Sequence, residues 1–136
     1  MNKKYLDWRD IEQGVERLAT NITASKIEFT AVTGLPRGGL IPAIMLSHTL
    51  SIPFISQPPN QVGSSILVVD DICDSGVTMQ KFKDVENIYT VTLHYKTTAC
   101  YEPNYWWRLV GDNEWIVYPW ERKDSQTIPD YATKRE

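Results

Sequence analysis

Apolar Ile11, Val15 and Leu18 recur at helical spacing, with Trp8 one turn earlier, so the pattern predicts an amphipathic helix over residues 10–19 with Asp10 as its N-cap. The period then changes. "IEFTAVTG" (27–34) alternates and ends on a glycine, as a strand does on entering a turn. After "LPRGG", residues 41–50 are apolar nearly all round, which predicts a buried helix with Pro42 tolerated in its first turn. "IPFIS" (52–56) reads as a second short strand, and the prolines and glycine of "QPPNQVGSS" (57–65) as a loop. "ILVVD" (66–70) is the continuous apolar run of a central parallel strand covered on both faces. "SGVTMQKFKDVE" (75–86) predicts a helix starting between Ser75 and Val77, and "IYTVTLHY" (88–95) another strand. Alternating strands and helices define an α/β fold: a central, mainly parallel sheet flanked by helices, with right-handed crossovers.

From Pro103 to Trp120 the chain is rich in tryptophan and carries the turn signal "GDN" (111–113), which predicts two short β segments forming a small C-terminal hood. Beyond Glu121 "RKDSQTIPDYATKRE" is polar, the pattern of a loose tail or a docking arm. The expected organisation is one domain, 1–121, with 103–120 contributing the hood and 122–136 the tail.

Composition adds boundaries. A chain of 136 residues has room for one core, and 42% hydrophobic with 23% charged residues is a soluble globular balance. A net charge of −3 argues against nucleic acid as a general partner, which demands a surplus of Lys and Arg. No apolar run approaches the roughly 18 residues of a membrane span, and "MNKKYLDWRD" lacks the apolar stretch of a signal peptide. The cytoplasm is therefore the expected location, without membrane insertion. Cys73 and Cys100 form no metal-binding spacing, and both are expected as reduced thiols.

The chemistry concentrates in "ILVVDDICDSGVTM" (66–79), where an apolar strand runs into Asp70, Asp71 and Asp74. In open α/β sheets ligands bind beyond the carboxyl ends of the strands, where these acids lie. "DSGVT" (74–78) supplies two hydroxyls, a glycine and backbone N–H groups at a predicted helix start, an anion cradle suited to phosphate. A phosphate cradle directly after two carboxylates suits one ligand with a phosphate at one end and a hydroxyl- or metal-rich portion at the other, such as a sugar phosphate chelating Mg²⁺. Helix capping by Asp and Ser accounts for one or two of these residues but not for the whole string.

"VVDDICDSGVT" resembles the phosphoribosyl-pyrophosphate signature of type I phosphoribosyltransferases. Three further segments match in the family's order, so that the resemblance covers about residues 5–121. "AVTGLPRGGLIPAIMLSHTLSIPFIS" is similar to the first strand, pyrophosphate loop and following helix of the bacterial xanthine-guanine enzymes, "VTLHYK" to their base-contacting lysine strand, and "WIVYPWE" to their purine-stacking segment.

The resemblance implies the type I phosphoribosyltransferase fold. It implies transfer from phosphoribosyl pyrophosphate to guanine, xanthine or hypoxanthine, giving the nucleoside monophosphate and pyrophosphate. Phosphoribosyl pyrophosphate would lie on Pro36, Arg37, Gly38, Asp70, Asp71, Asp74, Ser75, Gly76, Val77 and Thr78. Asp70 and Asp71 would also hold Mg²⁺, and Asp74 would be the catalytic group, facing the purine N7. Lys96 would donate to the purine O6, and Trp115 would stack on the ring with Ile116 beside it. The family further implies a non-proline cis peptide at Arg37–Gly38 and a homo-oligomer, dimer or tetramer.

One feature departs from the pattern. Family members carry a long mobile loop between the second and third strands, whereas "QPPNQVGSS" is short and holds no Lys or Arg. The departure motivates a second reading, a non-catalytic regulatory protein that binds phosphoribosyl pyrophosphate or a nucleotide, and a third, a transferase acting on another nitrogenous acceptor. Cys73, set among acids, is expected to be unreactive, because neighbouring negative charge raises a thiol's pKa.

Overall fold

A computed structural model describes residues 2–58 and 63–121. The segment 57–65 is thus seen only at its ends, and the tail 122–136 lies outside the described residues. In chain order the elements are β1 (Asn2–Tyr5), α1 (Trp8–Ala24), β2 (Phe29–Gly34), α2 (Leu40–Leu50), β3 (Ser65–Cys73), α3 (Val77–Gln80), β4 (Ile88–Tyr95), β5 (Tyr105–Leu109) and β6 (Glu114–Val117).

The first helix runs beyond both expected ends. Asp7, not Asp10, is the N-cap: its carboxylate accepts the Asp10 N–H at 2.8 Å while the Asp10 carboxylate accepts the Asp7 N–H at 2.9 Å, a reciprocal capping box. At the other end Ile22 continues the buried stripe of Ile11, Val15 and Leu18, so packing carries the helix to Ala24.

β2, β3, β4 and β5 form one parallel sheet in that order. The interior strand β3 is covered on both faces, as its apolar run requires. Leu67 and Val69 pack with α1 and with Ala43 and Leu46 of α2, whereas Ile66 and Val68 pack with Met79 and Ile88. This is the parallel sheet flanked by helices that the sequence pattern predicts.

Three expectations are corrected. Residues 52–56 form a single bridge, Phe54 to Val32, rather than a strand; Pro53 has no N–H to donate and serves only as acceptor, from Val32 N–H at 2.9 Å. The helix expected over 75–86 is one α-turn, after which Phe82 N–H bonds Met79 C=O and Lys83 N–H bonds Gln80 C=O at three-residue spacing. Met79 and Phe82 both pack into the lower core, and that spacing fits the tighter winding. The hood is not a paired unit: β5 joins the main sheet beside β4, and β6 pairs in parallel with β1. Asn104 fastens β5 there, its side chain accepting from Thr90 N–H at 2.8 Å while its own N–H donates to the Thr90 hydroxyl at 3.1 Å.

Helix α1 meets β5 at Gly14, where a Cβ would stand 2.5 Å from the Trp107 ring. Alanine would gain about 1 kcal/mol of helix propensity, but overpacking a rigid indole costs about 1–3 kcal/mol. Gly14→Ala is therefore expected to lower stability by about 1 kcal/mol, net of these two terms. A urea midpoint that rises instead would show that the ring yields.

Candidate functional site

The site grows from one topological fact: β2 ends its pairing at Gly34, opposite Val69, while β3 continues to Cys73. The loop after β2 folds over this overhang. Leu35 N–H donates to Val69 C=O at 2.8 Å and Gly39 N–H to Leu35 C=O at 2.9 Å. A Cβ on Gly38 would lie 2.1 Å from Asp71 Oδ2, and one on Gly39 would lie 2.2 Å from the Val69 carbonyl. Both glycines are thus required by close approach. Pro36 and Arg37 are exposed beside them. The cis peptide is Pro36–Arg37 and not Arg37–Gly38, one residue before the glycine that lies against Asp71.

The overhang carries the acids. Asp70 is buried, and its Oδ1 accepts the Asp71 N–H at 2.9 Å; Asp71 Oδ1 in turn accepts the Ile72 N–H at 2.8 Å. Beyond them Lys96 N–H bonds the Cys73 carbonyl at 3.0 Å, which sets the end of β4 beside the acid loop. There Lys96 Nζ meets Asp74 Oδ1 at 3.1 Å. With the Asp74 side chain 66% exposed, such a pair is worth at most about 1 kcal/mol, so it orients the lysine more than it stabilises the fold.

Gly76 turns the 74–78 loop with φ +87°, and a Cβ there would stand 2.8 Å from Tyr101 N. Cys100 N–H holds the loop from behind through the Ser75 carbonyl at 2.8 Å. The Ser75 hydroxyl accepts the Val77 N–H at 3.2 Å, Val77 is exposed, and Thr78 is half-buried. Because α3 is a single turn, the cradle owes little to a helix dipole and rests on the amides around Gly76.

Of the base-side residues, Lys96 is brought to the acid loop. Trp115 is half-buried on the separate β1–β6 sheet, opposite Lys3, and Ile116 packs against the upper core. The chain returns to the acids through Tyr118. Its hydroxyl donates to the Asp71 carbonyl at 3.1 Å and lies 2.8 Å from His94 Nδ1. Trp120 stacks on the Tyr118 ring, centroids 4.8 Å apart. Both Tyr118 and His94 are buried. Burial, with the charge of Arg108 added, holds His94 down to about 4, while burial beside the acids pushes the Tyr118 phenol well above its usual value. Both are uncharged at neutral pH. With the phenolic proton given to Asp71, the Tyr118 oxygen is the acceptor and His94 Nδ1 carries the hydrogen. Sequence reasoning missed both residues, although they lie inside the quoted "WIVYPWE" and "VTLHYK".

Cys73 is buried, its Sγ bonded to the Tyr101 carbonyl at 3.2 Å, and burial, with Cys100, Asp70 and Asp74 adding to it, pushes the thiol up to about 12. This agrees with the unreactive thiol expected from the sequence.

A parallel sheet whose β3 end joins paired carboxylates to a glycine-turned amide loop offers acceptors for hydroxyls beside amide donors for a phosphate. The chain belongs to the phosphoribosyl transferase domain family, whose model matches residues 45–125. Over 86% of each chain it is 25% identical to the xanthine-guanine phosphoribosyltransferase of Cereibacter sphaeroides (strain ATCC 17025 / ATH 2.4.3). The purine phosphoribosyltransferase of Pyrococcus horikoshii Ot3 superposes with TM-score 0.79 at 26% identity, covering 94% of this chain and all of that one. A hypothetical protein from Neisseria gonorrhoeae with bound ppGpp gives TM-score 0.73 at 26% identity, over 90% of this chain and 91% of its own. Among the described residues no helix is long and apolar enough to cross a membrane.

His94 gives a pH signature. Its folded value near 4 lies below the unfolded 6.5, so its neutral, buried form contributes stability above pH 6.5 that is lost as pH falls towards 4. The loss is about 3 kcal/mol over that window. Urea unfolding of wild type against His94→Asn at pH 7, 5.5 and 4 should show the wild type losing more; parallel losses would contradict the assignment. Thiol labelling of native protein at pH 7.5 should modify exposed Cys100 and spare Cys73 until urea unfolds the chain.

Proposed function

We propose that the protein is a Mg²⁺-dependent purine phosphoribosyltransferase acting on guanine, xanthine or hypoxanthine. The observation that carries the reading is the convergence of Gly38 on the Asp71 carboxylate with the Asp74–Lys96 pair at the neighbouring strand end. A pyrophosphate grip, a ribose-hydroxyl grip and a purine grip then share one sheet edge.

In the reaction the ribose C1–oxygen bond to pyrophosphate breaks and a bond from C1 to a purine nitrogen forms, with positive charge growing on the sugar. Backbone groups of Pro36, Arg37 and Gly38 take the pyrophosphate, and Ser75, Gly76, Val77 and Thr78 take the 5′-phosphate. Asp70 and Asp71 hold the ribose hydroxyls, so that C1 is presented to the base in fixed orientation. Asp74 accepts the N7 hydrogen or stabilises the charge developing there, and Lys96 donates to O6. The two exchange each other for the purine, at a cost of at most about 1 kcal/mol. Trp115 supplies a stacking face.

The donor set fits Mg²⁺ in a particular way. Asp70 and Asp71 offer hard carboxylate oxygens, but among the described residues no cluster of three or more His, Cys, Asp or Glu forms a cage. An ion shared between one or two carboxylates and substrate phosphates is the arrangement Mg²⁺ prefers. When bound it would neutralise the departing diphosphate.

A second reading, a regulatory protein that binds a guanine nucleotide without turnover, is favoured by the short 57–65 segment without Lys or Arg and by the ppGpp held in the similar Neisseria gonorrhoeae protein. Pyrophosphate release with phosphoribosyl pyrophosphate, Mg²⁺ and each of guanine, xanthine, hypoxanthine and adenine separates the two. The 6-oxopurines should react and adenine should not, because its 6-amino group offers Lys96 no oxygen. Asp74→Asn should lower kcat by about 10²- to 10⁴-fold. Tight guanine-nucleotide binding with no monophosphate formed from any base would establish the second reading.

A further inference from the structure

We infer that Tyr118, held by His94, is a positioning residue that sets the Asp71 carboxylate through the single peptide plane between Asp71 and Ile72. The inference rests on the phosphoribosyltransferase reading and deepens it.

That peptide is gripped on both sides. Its C=O accepts the Tyr118 O–H at 3.1 Å, and its N–H, belonging to Ile72, donates to Asp71 Oδ1 at 2.8 Å. A peptide unit is planar, so fixing the carbonyl direction fixes the opposite N–H direction, and with it the carboxylate oxygen that accepts from it. The same carboxylate's Oδ2 is the atom against which Gly38 is seated. Tyr118 thus reaches the group that meets the pyrophosphate loop without touching substrate.

His94 completes the chain. Its Nδ1 lies 2.8 Å from the Tyr118 oxygen, and its ring is flanked by Trp107 at 5.7 Å and Tyr118 at 5.5 Å between centroids. With Nδ1–H donating, the phenol has its proton left for Asp71 alone. Tyr118 also lies three residues beyond Trp115, so the link joins the purine-stacking segment to the ribose and metal end of the site. A base that settles Trp115 would steady Tyr118 and, through it, Asp71.

The test is calorimetric titration of phosphoribosyl pyrophosphate into full-length protein over a series of Mg²⁺ concentrations, paired with turnover and thermal melting. Wild type should bind with a defined Mg²⁺ midpoint. Tyr118→Phe keeps the ring and its stacking but loses the donor; the midpoint should rise about three- to ten-fold, the worth of one hydrogen bond. Phosphoribosyl-pyrophosphate affinity at saturating Mg²⁺ should fall by less than the midpoint shifts, since the 75–78 cradle is untouched and only the Asp71 grip is loosened. His94→Leu should follow Tyr118→Phe, and His94→Asn, whose amide N–H can stand in for Nδ1–H, should recover towards wild type.

A folded Tyr118→Phe with the wild-type Mg²⁺ midpoint overturns the inference. If Tyr118→Phe does not fold, equal midpoints for His94→Leu and His94→Asn overturn it. Wild-type protein that binds no phosphoribosyl pyrophosphate at any Mg²⁺ concentration overturns the transferase reading itself, a failure distinguishable because it precedes any variant.

Discussion

A strand that outruns its neighbour must find new partners for its peptide groups, and this governs the molecule. β2 stops pairing opposite Val69, yet β3 continues through Asp70, Asp71 and Ile72 to Cys73. A buried N–H or C=O left without a partner costs about 1–3 kcal/mol. The overhang answers with groups other than a neighbouring strand's backbone: Leu35 N–H for the Val69 carbonyl, the strand's own two aspartate side chains for the N–H groups of residues 71 and 72, and Tyr118 for the Asp71 carbonyl. The 35–39 loop, the acids and the C-terminal segment are drawn to one point by backbone satisfaction, before any ligand is considered.

The elements legible in the sequence are those whose burial is symmetric or strongly periodic. The apolar run of β3 announced an interior parallel strand, the pattern of 88–95 announced a further strand, and the stripe from Ile11 to Leu18 announced α1. What stayed hidden depended on distant partners. Strand β1 is exposed along its length and carries no hydrophobic signal; it exists because residues 114–117 pair with it. The two β segments expected in 103–120 are present, but their separate partners were hidden for the same reason, since Asn104 ties β5 to Thr90 while β6 turns to the N-terminus. The helix after Gly76 was cut to one turn by Met79 and Phe82, whose spacing served the core better in a tighter winding.

The site shows the same division. Asp70 to Thr78 are nearly all of the acid and cradle set and are consecutive, so their chemistry could be read as a string. Lys96 follows from register, because Cys73 pairs with Tyr95. Tyr118 and His94 gave no comparable signal. They meet only when the segment after β6 returns to the end of β3, and a tyrosine and a histidine in apolar surroundings read as ordinary core residues.

The two halves of the site differ in how firmly they are held, and the difference matches the demands of transfer. Asp70 and Tyr118 are buried and hydrogen-bonded to the backbone, and half-buried Asp71 and Gly38 are held by hydrogen bonding and steric fit, so in the proposed reaction little reorganisation would be left for the moment when charge develops on the sugar. Exposed Asp74 pairs with the largely buried Lys96, and Ser75 holds the Val77 amide within its own loop; with at least one partner open to solvent in each, these contacts can be exchanged for a ligand's. For the transfer proposed above, this would give a rigid end where charge is met and an exchangeable end where base and phosphate enter. On that reading, stabilisation of the positive charge growing on the sugar would fall to the acids and to the peptide proposed to orient them.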